Sequence, residues 1–257
     1  ELGTRKTLEH DIVVNSQRPL RSTVGKPWYS YYVLKTDGIF QSQEEINNYK
    51  WTDPNTGLTN LIQPNAKPGD LRYVDFNNDG KINSDDNQYM GSYMPKITFG
   101  FGGNLNYKNL DFSFQFQGVG KSTIYNAFKQ MTLTGRQQGG NMLKDILNAW
   151  DYNHTSGIPR LALVDDPNGN YTNPSDFYLE DGSYLRLKNL TLGYTLPQQW
   201  LNALGLKKST LRLYFNCENL FTITDYTGID PEVGNFGLDG GVYPVARSFT
   251  IGFNFGF

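Results

Sequence analysis

The feature of this sequence that most restricts its fold is a strict two-residue alternation over its last ten residues. Large apolar residues alternate there with Ser, Thr, Gly and Asn, and they are Phe249, Ile251, Phe253, Phe255 and Phe257. Side chains of a β-strand point to opposite faces in turn, whereas a helix would spread these residues around its surface. The segment is therefore predicted to be a strand with one face toward lipid and the other toward a wet or packed interior.

The same alternation recurs along the chain and predicts several long antiparallel strands. A hairpin is expected to turn at Lys108 and Asn109, and a change of phase near Lys188 and Asn189 indicates a β-bulge. Most of these segments approach the roughly 9–11 residues that a tilted strand needs to cross a bilayer. The predicted strands are Lys96–Tyr107, Leu110–Gln117, Leu185–Leu196 and Thr210–Phe221, with a weaker one at Thr7–Val14.

Composition favours an all-β chain and excludes one class of partner. Aromatic residues make up 14%, glycines number 27 and charged residues reach only 19%, which suits strands and turns better than helices. The mean hydropathy of -0.54 would ordinarily indicate a soluble protein. A membrane barrel strand turns only alternate residues to lipid, however, so its mean hydropathy stays low. A net charge of -2 with mixed signs argues against nucleic-acid binding, and Cys217 is the only cysteine.

The connections between the predicted strands alternate between short and long, which gives the chain an expected orientation. Bacterial barrels have short periplasmic turns and long outer loops. If Phe257 ends at the periplasmic side, the turn at Lys108 and the connection Pro197–Ser209 are periplasmic. Residues 119–184 and 222–245 then form outer loops. A soluble sandwich gives no reason for such an alternation.

A short helix is predicted within the first of these outer loops. Asn141 is a candidate N-cap, and an apolar stripe at helical spacing follows it. We expect this stripe to pack on neighbouring loop residues. Its members are Met142, Leu143, Ile146, Leu147 and Trp150.

One segment, residues 75–86, carries explicit metal-binding chemistry. It matches a calcium-loop pattern in which oxygen side chains precede a glycine and a carboxylate closes the loop. Calcium prefers several hard oxygen ligands, and side chains two apart converge on one point only if Gly80 permits a sharp turn. The expected ligands are Asp75, Asn77, Asp79, the carbonyl of Lys81 and Asp86, with Asn83 acting through water.

This calcium-type loop departs from the loops of helix-loop-helix sensors. Asp86 closes it in place of the usual Glu and has a shorter reach. The flanking residues also lack the pattern of paired helices. The expected ion is therefore structural and lies within an extracellular loop, and the alternative is an Asp/Asn/Gly-rich turn without metal.

No catalytic constellation is visible, so the chain is predicted not to be an enzyme. The two histidines, His10 and His154, lie in unrelated segments, and no nucleophile elbow or Gly-rich phosphate loop occurs. Two acidic pairs could imitate a glycosidase dyad, but adjacent carboxylates are common in turns and sequence does not give their separation across a sugar. These pairs are Asp165 with Asp166 and Glu180 with Asp181.

Five segments, in order along nearly the whole chain, resemble the SusC/RagA-like family of TonB-dependent outer-membrane receptors. Any one of them would be suggestive, and the ordered set is specific. The segments are Lys35–Ile46, Gly69–Gly80, Ser175–Tyr194, Asn219–Pro231 and Tyr243–Phe249.

The resemblance implies that residues 1–257 are the C-terminal part of a plugged transmembrane β-barrel of about 22 strands with long extracellular loops. It also implies the bacterial outer membrane as location, a SusD-like lipoprotein as partner, and TonB-driven import of oligosaccharides or peptides. The plug that contacts TonB and the other strands would come from the remaining N-terminal part of the receptor, since an open sheet edge in lipid leaves backbone groups unpaired. Phe257 resembles the signal by which outer-membrane assembly machinery recognises a last strand.

Two other functions compete with import. A soluble, calcium-stabilised β-sandwich would bind carbohydrate through loop aromatics used as stacking platforms. It leaves the connection lengths and the apolar face of the last strand unexplained. A barrel-type adhesin would share the fold without transport. The platforms that the sandwich would use are Trp28, Tyr29, Tyr31 and Tyr32.

Overall fold

The computed structural model describes residues 12–13, 19–134, 140–162 and 166–257, where strands dominate and helices are few and short. The α-helices are α1 (Gln43–Asn48), α2 (Ala127–Leu133) and α3 (Gln198–Ala203). The strands are β1 (Ile12–Val13), β2 (Leu20–Ser22), β3 (Ser30–Leu34), β4 (Thr36–Ile39), β5 (Lys50–Thr52), β6 (Thr59–Leu61), β7 (Leu71–Tyr73), β8 (Asn87–Ser92), β9 (Ile97–Tyr107), β10 (Leu110–Gly120), β11 (Thr123–Asn126), β12 (Leu179–Asp181), β13 (Tyr184–Thr195), β14 (Thr210–Glu218), β15 (Thr222–Thr224), β16 (Leu238–Asp239) and β17 (Ser248–Gly256). A mainly β chain is confirmed, whereas barrel closure and the strand number stay predictions.

The chain folds into two compact units. The strand unit comprises residues 95–122, 181–232 and 242–257 and contains all the long strands. The loop unit comprises the described parts of residues 1–94, 123–180 and 233–241.

The strand unit is one antiparallel sheet in the order β17-β14-β13-β10-β9, with β15 paired to the start of β13. The predicted hairpin is confirmed, because β9 and β10 are joined at Lys108 and Asn109, with Lys108 in the left-handed region at φ 55°. The predicted bulge is confirmed as well. Gln115 pairs with Asn189 and Phe116 with Leu187, which leaves Lys188 as the extra residue of β13.

The predicted long strands are found with small shifts at their ends. The strand predicted over Thr210–Phe221 instead ends at Glu218. Asn219 adopts φ 52° and interrupts the extended backbone, after which residues 222–224 continue as β15 against β13. Of the weak strand predicted at Thr7–Val14, only β1 lies within the described residues, where it pairs with β2.

The loop unit is built from short strands around three clusters of buried residues among those described. The sheet β1-β2-β3-β8 is accompanied by the pairs β4–β7 and β5–β6 and by the sheet β12-β11-β16, in which β11 and β16 are parallel. Short strands of this kind depend on side-chain burial, since few ladder hydrogen bonds hold each of them. The largest cluster consists of Leu20, Tyr31, Val33, Tyr125, Leu133, Ala162, Tyr171, Tyr178 and Leu238.

Buried tyrosines of the loop unit donate their hydroxyl hydrogens to backbone carbonyls of other segments. Burial raises the pKa of these phenols, so they remain neutral donors. Each buried hydroxyl thereby satisfies its own hydrogen-bond donor with a main-chain acceptor. The bonds are Tyr31 to Gly237 (2.8 Å), Tyr73 to Gly169 (2.8 Å), Tyr178 to Asn170 (2.8 Å) and Tyr171 to Pro159 (3.0 Å).

The helix predicted after Asn141 is wrong in type and in burial. A five-residue 3₁₀ helix spans Lys144–Asn148, and Leu143 precedes it without a side-chain cap. In a 3₁₀ helix residues three apart share a face, so an apolar pattern at α-helical spacing does not form one stripe. Met142 and Trp150 also lie outside this helix, and Trp150 is buried while Met142 and Leu147 are exposed.

Candidate functional site

The sheet of the strand unit has an apolar face whose side chains are largely exposed. The strand registers align apolar residues into rows that cross five strands, for example Leu105, Phe112, Leu192, Phe215 and Ile251. Ile251 is 84% exposed although it lies in the middle of a strand. A continuous apolar surface of this kind is typical of a site covered by lipid or protein rather than by water.

The opposite face of the same sheet is polar and carries the candidate functional groups. One row across the strands consists of Asn104, Ser113, Thr191, Asn216 and Thr250. The hydroxyl of Thr191 lies 3.1 Å from Oδ1 of Asn189 and 2.8 Å from Oδ1 of Asn216. This face therefore offers mainly neutral hydrogen-bonding groups, which suit a water-filled or plugged interior.

A charged pair crosses the polar face near the turn at Lys108. Arg212 on β14 donates to both carboxylate oxygens of Asp111 on β10, with Nε 2.9 Å from Oδ1. The guanidinium passes over β13 at Gly193, where an added Cβ would collide with both partners. A bidentate bond of this geometry fixes the side chains as well as the charges. A glycine is therefore needed at position 193 because the side chains of Arg212 and Asp111 pass close to its Cα, and not because of its backbone conformation.

A second charged cluster lies at the other end of the polar face. Arg186 on β13 is 2% exposed, and its guanidinium contacts Oδ1 of Asp230 at 2.6 Å and Oε2 of Glu232 at 2.8 Å. Its Nε donates to Oγ1 of Thr222 at 2.8 Å. Lys188, the bulge residue, contributes a further ion pair to Glu232 at 3.0 Å. An arginine is fully buried only when its donors are matched in this way.

Sequence reasoning missed both charged clusters. Most of these residues look like ordinary polar residues of alternating strands or loops. Arg212 and Asp111, for example, are 101 residues apart in the sequence. The available signal was the presence of arginines within strands that are otherwise neutral. Pairing them required the strand order, which the sequence alone does not give.

The calcium-type loop adopts a closed turn within the loop unit. Gly80 has φ 81°, so the predicted need for glycine is confirmed, and the ring of Trp51 packs 2.6 Å from where a Cβ would stand. Asp75 Oδ2 accepts from the Gly80 backbone at 2.8 Å. Asp86 is fully buried and accepts from the Phe76 backbone at 2.9 Å, which joins the two ends of the loop.

The other predicted ligands also cap backbone groups of the same turn. Asn77 Oδ1 accepts from the Asp79 backbone at 3.0 Å, and Asp79 Oδ1 accepts from the Lys81 backbone at 3.0 Å. Asn83 caps the short helix that carries Asp86. Across the described ranges, no group of three or more His, Cys, Asp or Glu side chains is arranged to hold a metal. The donors fit calcium in kind, while the loop is closed here by its own hydrogen bonds.

The remaining candidate residues are structural or lie outside the described residues. His10 and Asp165 belong to the latter group. Asp166 accepts from the backbones of Asn170 and Tyr171, and Glu180 forms an ion pair with Lys129. Phe257, which follows β17, is fully exposed, and its role as an assembly signal stays a prediction.

The stacking platforms of the soluble sandwich are only partly available. Tyr31 is completely buried, which removes it as a platform. The ring of Tyr32 is covered by the guanidinium of Arg21 at 4.7 Å. Trp28 alone of the four counts as exposed, at 41%. Within the part of the chain that the structure covers, no helix is long and apolar enough to cross a membrane.

Comparison with known proteins agrees with this two-faced sheet. No family model matches the chain. It is 36% identical over 247 residues to the TonB-dependent receptor P26 of Formosa agariphila, covering 91% of this chain and 23% of that protein. It is 31% identical over 197 residues to the TonB-dependent receptor SusC of Bacteroides thetaiotaomicron, covering 77% of this chain and 18% of SusC.

Solved structures also match this chain, and they are of a transporter of the same kind. The structure of the RagAB peptide transporter matches with a TM-score of 0.66 and 25% identity, over 95% of this chain and 24% of the matched chain. The chain thus spans about a quarter or less of the proteins it resembles. These relatives are receptors rather than enzymes, in agreement with the lack of catalytic motifs. The chain therefore belongs to the SusC/RagA-like family of TonB-dependent receptors, which are proteins of the bacterial outer membrane.

Proposed function

We propose that this chain forms part of the wall of a TonB-dependent importer that takes up oligosaccharides or peptides. The observation that carries the proposal is the sheet with one exposed apolar face and one polar face, in strands of 9 to 12 residues. Such strands are long enough to cross a bilayer. The apolar face would contact outer-membrane lipid, and the polar face would line the interior.

The proposed orientation follows from the connections. The two-residue turn at Lys108 and Asn109 would lie at the periplasmic side, because outer-membrane barrels have short turns there. Residues 121–183 and 219–247 leave the opposite end of the sheet strands and would form outer loops. The Arg186 cluster then lies near the outer surface, and the Arg212 pair lies near the periplasm.

The proposed partners are a SusD-like lipoprotein and TonB. The similarity to SusC and to the structure of the RagAB peptide transporter supports the lipoprotein as a partner here. TonB would act through a plug supplied by the remaining part of the same receptor, and further strands from that part would pair with the edges β9 and β17. Either edge would otherwise leave backbone groups unpaired in lipid.

Affinity purification of the full receptor from detergent-extracted outer membranes tests this function. We expect a lipoprotein to co-purify in near-equal amount, and we expect growth on the imported nutrient to stop when TonB is depleted. Uptake that continues without TonB would contradict the importer and favour a barrel adhesin. Recovery of the receptor from the soluble fraction would contradict the membrane location of the sheet.

We propose in addition that residues 75–86 bind calcium as a structural ion. Asp75, Asn77, Asp79, the carbonyl of Lys81 and Asp86 would hold it, with Asn83 acting through water. The support is the number of oxygen donors in the loop, the left-handed Gly80, and the bond from Asp86 that brings both ends of the loop together. The ion would supply rigidity to an outer loop.

Terbium luminescence offers a direct test, since Trp51 packs against Gly80 and can transfer excitation to a lanthanide in the loop. We expect emission from the full receptor that excess calcium suppresses. Asp75→Ala should weaken the apparent affinity by about tenfold or more, which corresponds to about 1.4 kcal/mol. Asp53→Ala is the control, because Asp53 caps a separate turn at Asn55. Equal emission from Asp75→Ala and the parent would rule out this site.

A further inference from the structure

The connection that leaves β14 stays bound to β13 instead of standing free. After Asn219 the chain continues in the direction of β14, and β15 pairs Thr222 with Arg186. The Asn219 backbone donates to the Lys188 carbonyl at 3.0 Å. The following segment, residues 226–232, is here named the strap. It begins beyond β15 and returns two carboxylates to the start of β13.

The strap is held mainly by charge. Arg186 contacts Asp230 and Glu232, and Lys188 contacts Glu232. Arg186 and Lys188 are two residues apart in β13, a spacing that turns both side chains to the same face of a strand. Both cations can therefore reach Glu232.

The strap also fastens the segment that leads into β17. Asp230 Oδ1 accepts from the backbone of Glu232 at 2.8 Å, and its Oδ2 accepts from the backbone of Val245 at 3.1 Å. Burial alone would raise the pKa of Asp230, but hydrogen bonds from Glu232 and Arg186 lower it below the ordinary value. Asp230 is therefore ionised at neutral pH and joins three separate stretches of chain.

The strap carries its own apolar packing. Tyr226 is 5% exposed, and its ring lies over Gly228, where an added Cβ would collide with it. Contacts within the strap can move with it, whereas the side-chain contacts of Asp230 and Glu232 to β13 are ion pairs. The side chains of Lys188 and Glu232 are 25% and 39% exposed, so water already reaches part of this cluster. Opening such a contact restores hydration to both partners, so an ionic lock separates more readily than an apolar one.

We propose that the strap is a reversible closure of the polar face at its Arg186 end, locked by Arg186 and Lys188 against Asp230 and Glu232. This inference rests on the proposed function, since the closed end is the outer mouth only if the polar face lines an importer. The strap would regulate the access of substrate to the interior of that importer. The lock lies at one end of the polar face. The Arg212–Asp111 pair lies at the other end and serves as the control for the loss of an ion pair elsewhere on the same face.

Hydrogen exchange measured by mass spectrometry on the full receptor tests the lock itself. In Arg186→Met and Asp230→Asn we expect exchange in residues 225–232 and at the Val245 amide to rise by about tenfold or more. Arg212→Met should leave exchange in the strap unchanged. If Arg186→Met fails to assemble, Glu232→Gln removes two of the ion pairs and should act in the same direction. Unchanged exchange in Asp230→Asn and Glu232→Gln would overturn the lock.

Thiol labelling in whole cells tests the closure. Gln117 is the cross-strand partner of Arg186, and Cys217 is buried, so Gln117→Cys adds the reactive thiol. We expect an impermeant maleimide to label it about tenfold faster or more when Glu232→Gln is also present. Asn254→Cys, at the far end of the face, should show no such change. Faster exchange without faster labelling would overturn the closure. The hydrogen-exchange test of the lock does not depend on lipoprotein co-purification or on TonB. A negative result for the lock can therefore be told apart from a negative result for the importer.

Discussion

Replacing Ile251 by arginine is expected to destabilise the assembled receptor by about 2–4 kcal/mol, because the change places a charge on the face assigned to lipid near mid-strand. Ile251 is 84% exposed and lies in the row of Leu192 and Phe215. In a soluble protein an arginine at so exposed a position would have little effect. The loss of stability in this variant therefore shows whether lipid or water covers the apolar face.

The matched control is Thr250→Arg, which places the same side chain next door on the polar face. We expect its effect to stay below about 1 kcal/mol, because the arginine can remain hydrated there. The measurement is denaturant unfolding of the purified receptor in lipid vesicles, with heat-dependent gel mobility as a check of assembly. Equal losses for the two variants would mean that lipid does not cover the apolar face.

Replacing Gly193 by valine is expected to break the bond between Arg212 and Asp111. An added Cβ would overlap the guanidinium and the carboxylate at once, so both must move. The colliding atoms are the ends of flexible side chains that can move aside, so the cost comes mainly from the lost bidentate bond, and we expect about 1–3 kcal/mol in all. The variant should unfold at lower denaturant than the parent in the same vesicle assay.

Gly120→Val is the comparison for this effect. Its Cβ would meet only the Ile97 Cβ at 3.7 Å, which is an ordinary contact. Arg212→Met on the Gly193→Val background separates the two causes, since it removes the side chain that collides. We expect part of the lost stability to return. No recovery would show that valine acts through the backbone and not through the charged pair.

The sequence predicted the long strands better than the short ones. Alternation of large and small residues is strong where one face is apolar over a whole strand, and it placed β9, β10 and β17 within a few residues. It failed at Asn219, where one left-handed residue divides a continuous pattern into β14 and β15. Local polarity does not reveal such a turn. The short strands of the loop unit lack the length that a period requires.

The site was predictable only where it is local in sequence. The calcium-type loop could be read from twelve adjacent residues, and its left-handed Gly80 was found. The clusters of Arg186 and Arg212 join residues from different strands, so their existence depends on strand order and register. The short helix after Asn141 failed for another reason: an apolar pattern of one turn does not distinguish 3₁₀ from α geometry.

The tyrosines of the loop unit have a consequence for how this receptor can diverge. Each hydroxyl binds a main-chain carbonyl, at Gly237, Gly169, Asn170 or Pro159, and so it recognises the path of the loop rather than any side chain on it. Replacement of a neighbouring surface residue leaves that bond in place, provided the backbone keeps its course. The loops can therefore change their outward chemistry from one descendant to the next while the scaffold beneath them is inherited unaltered.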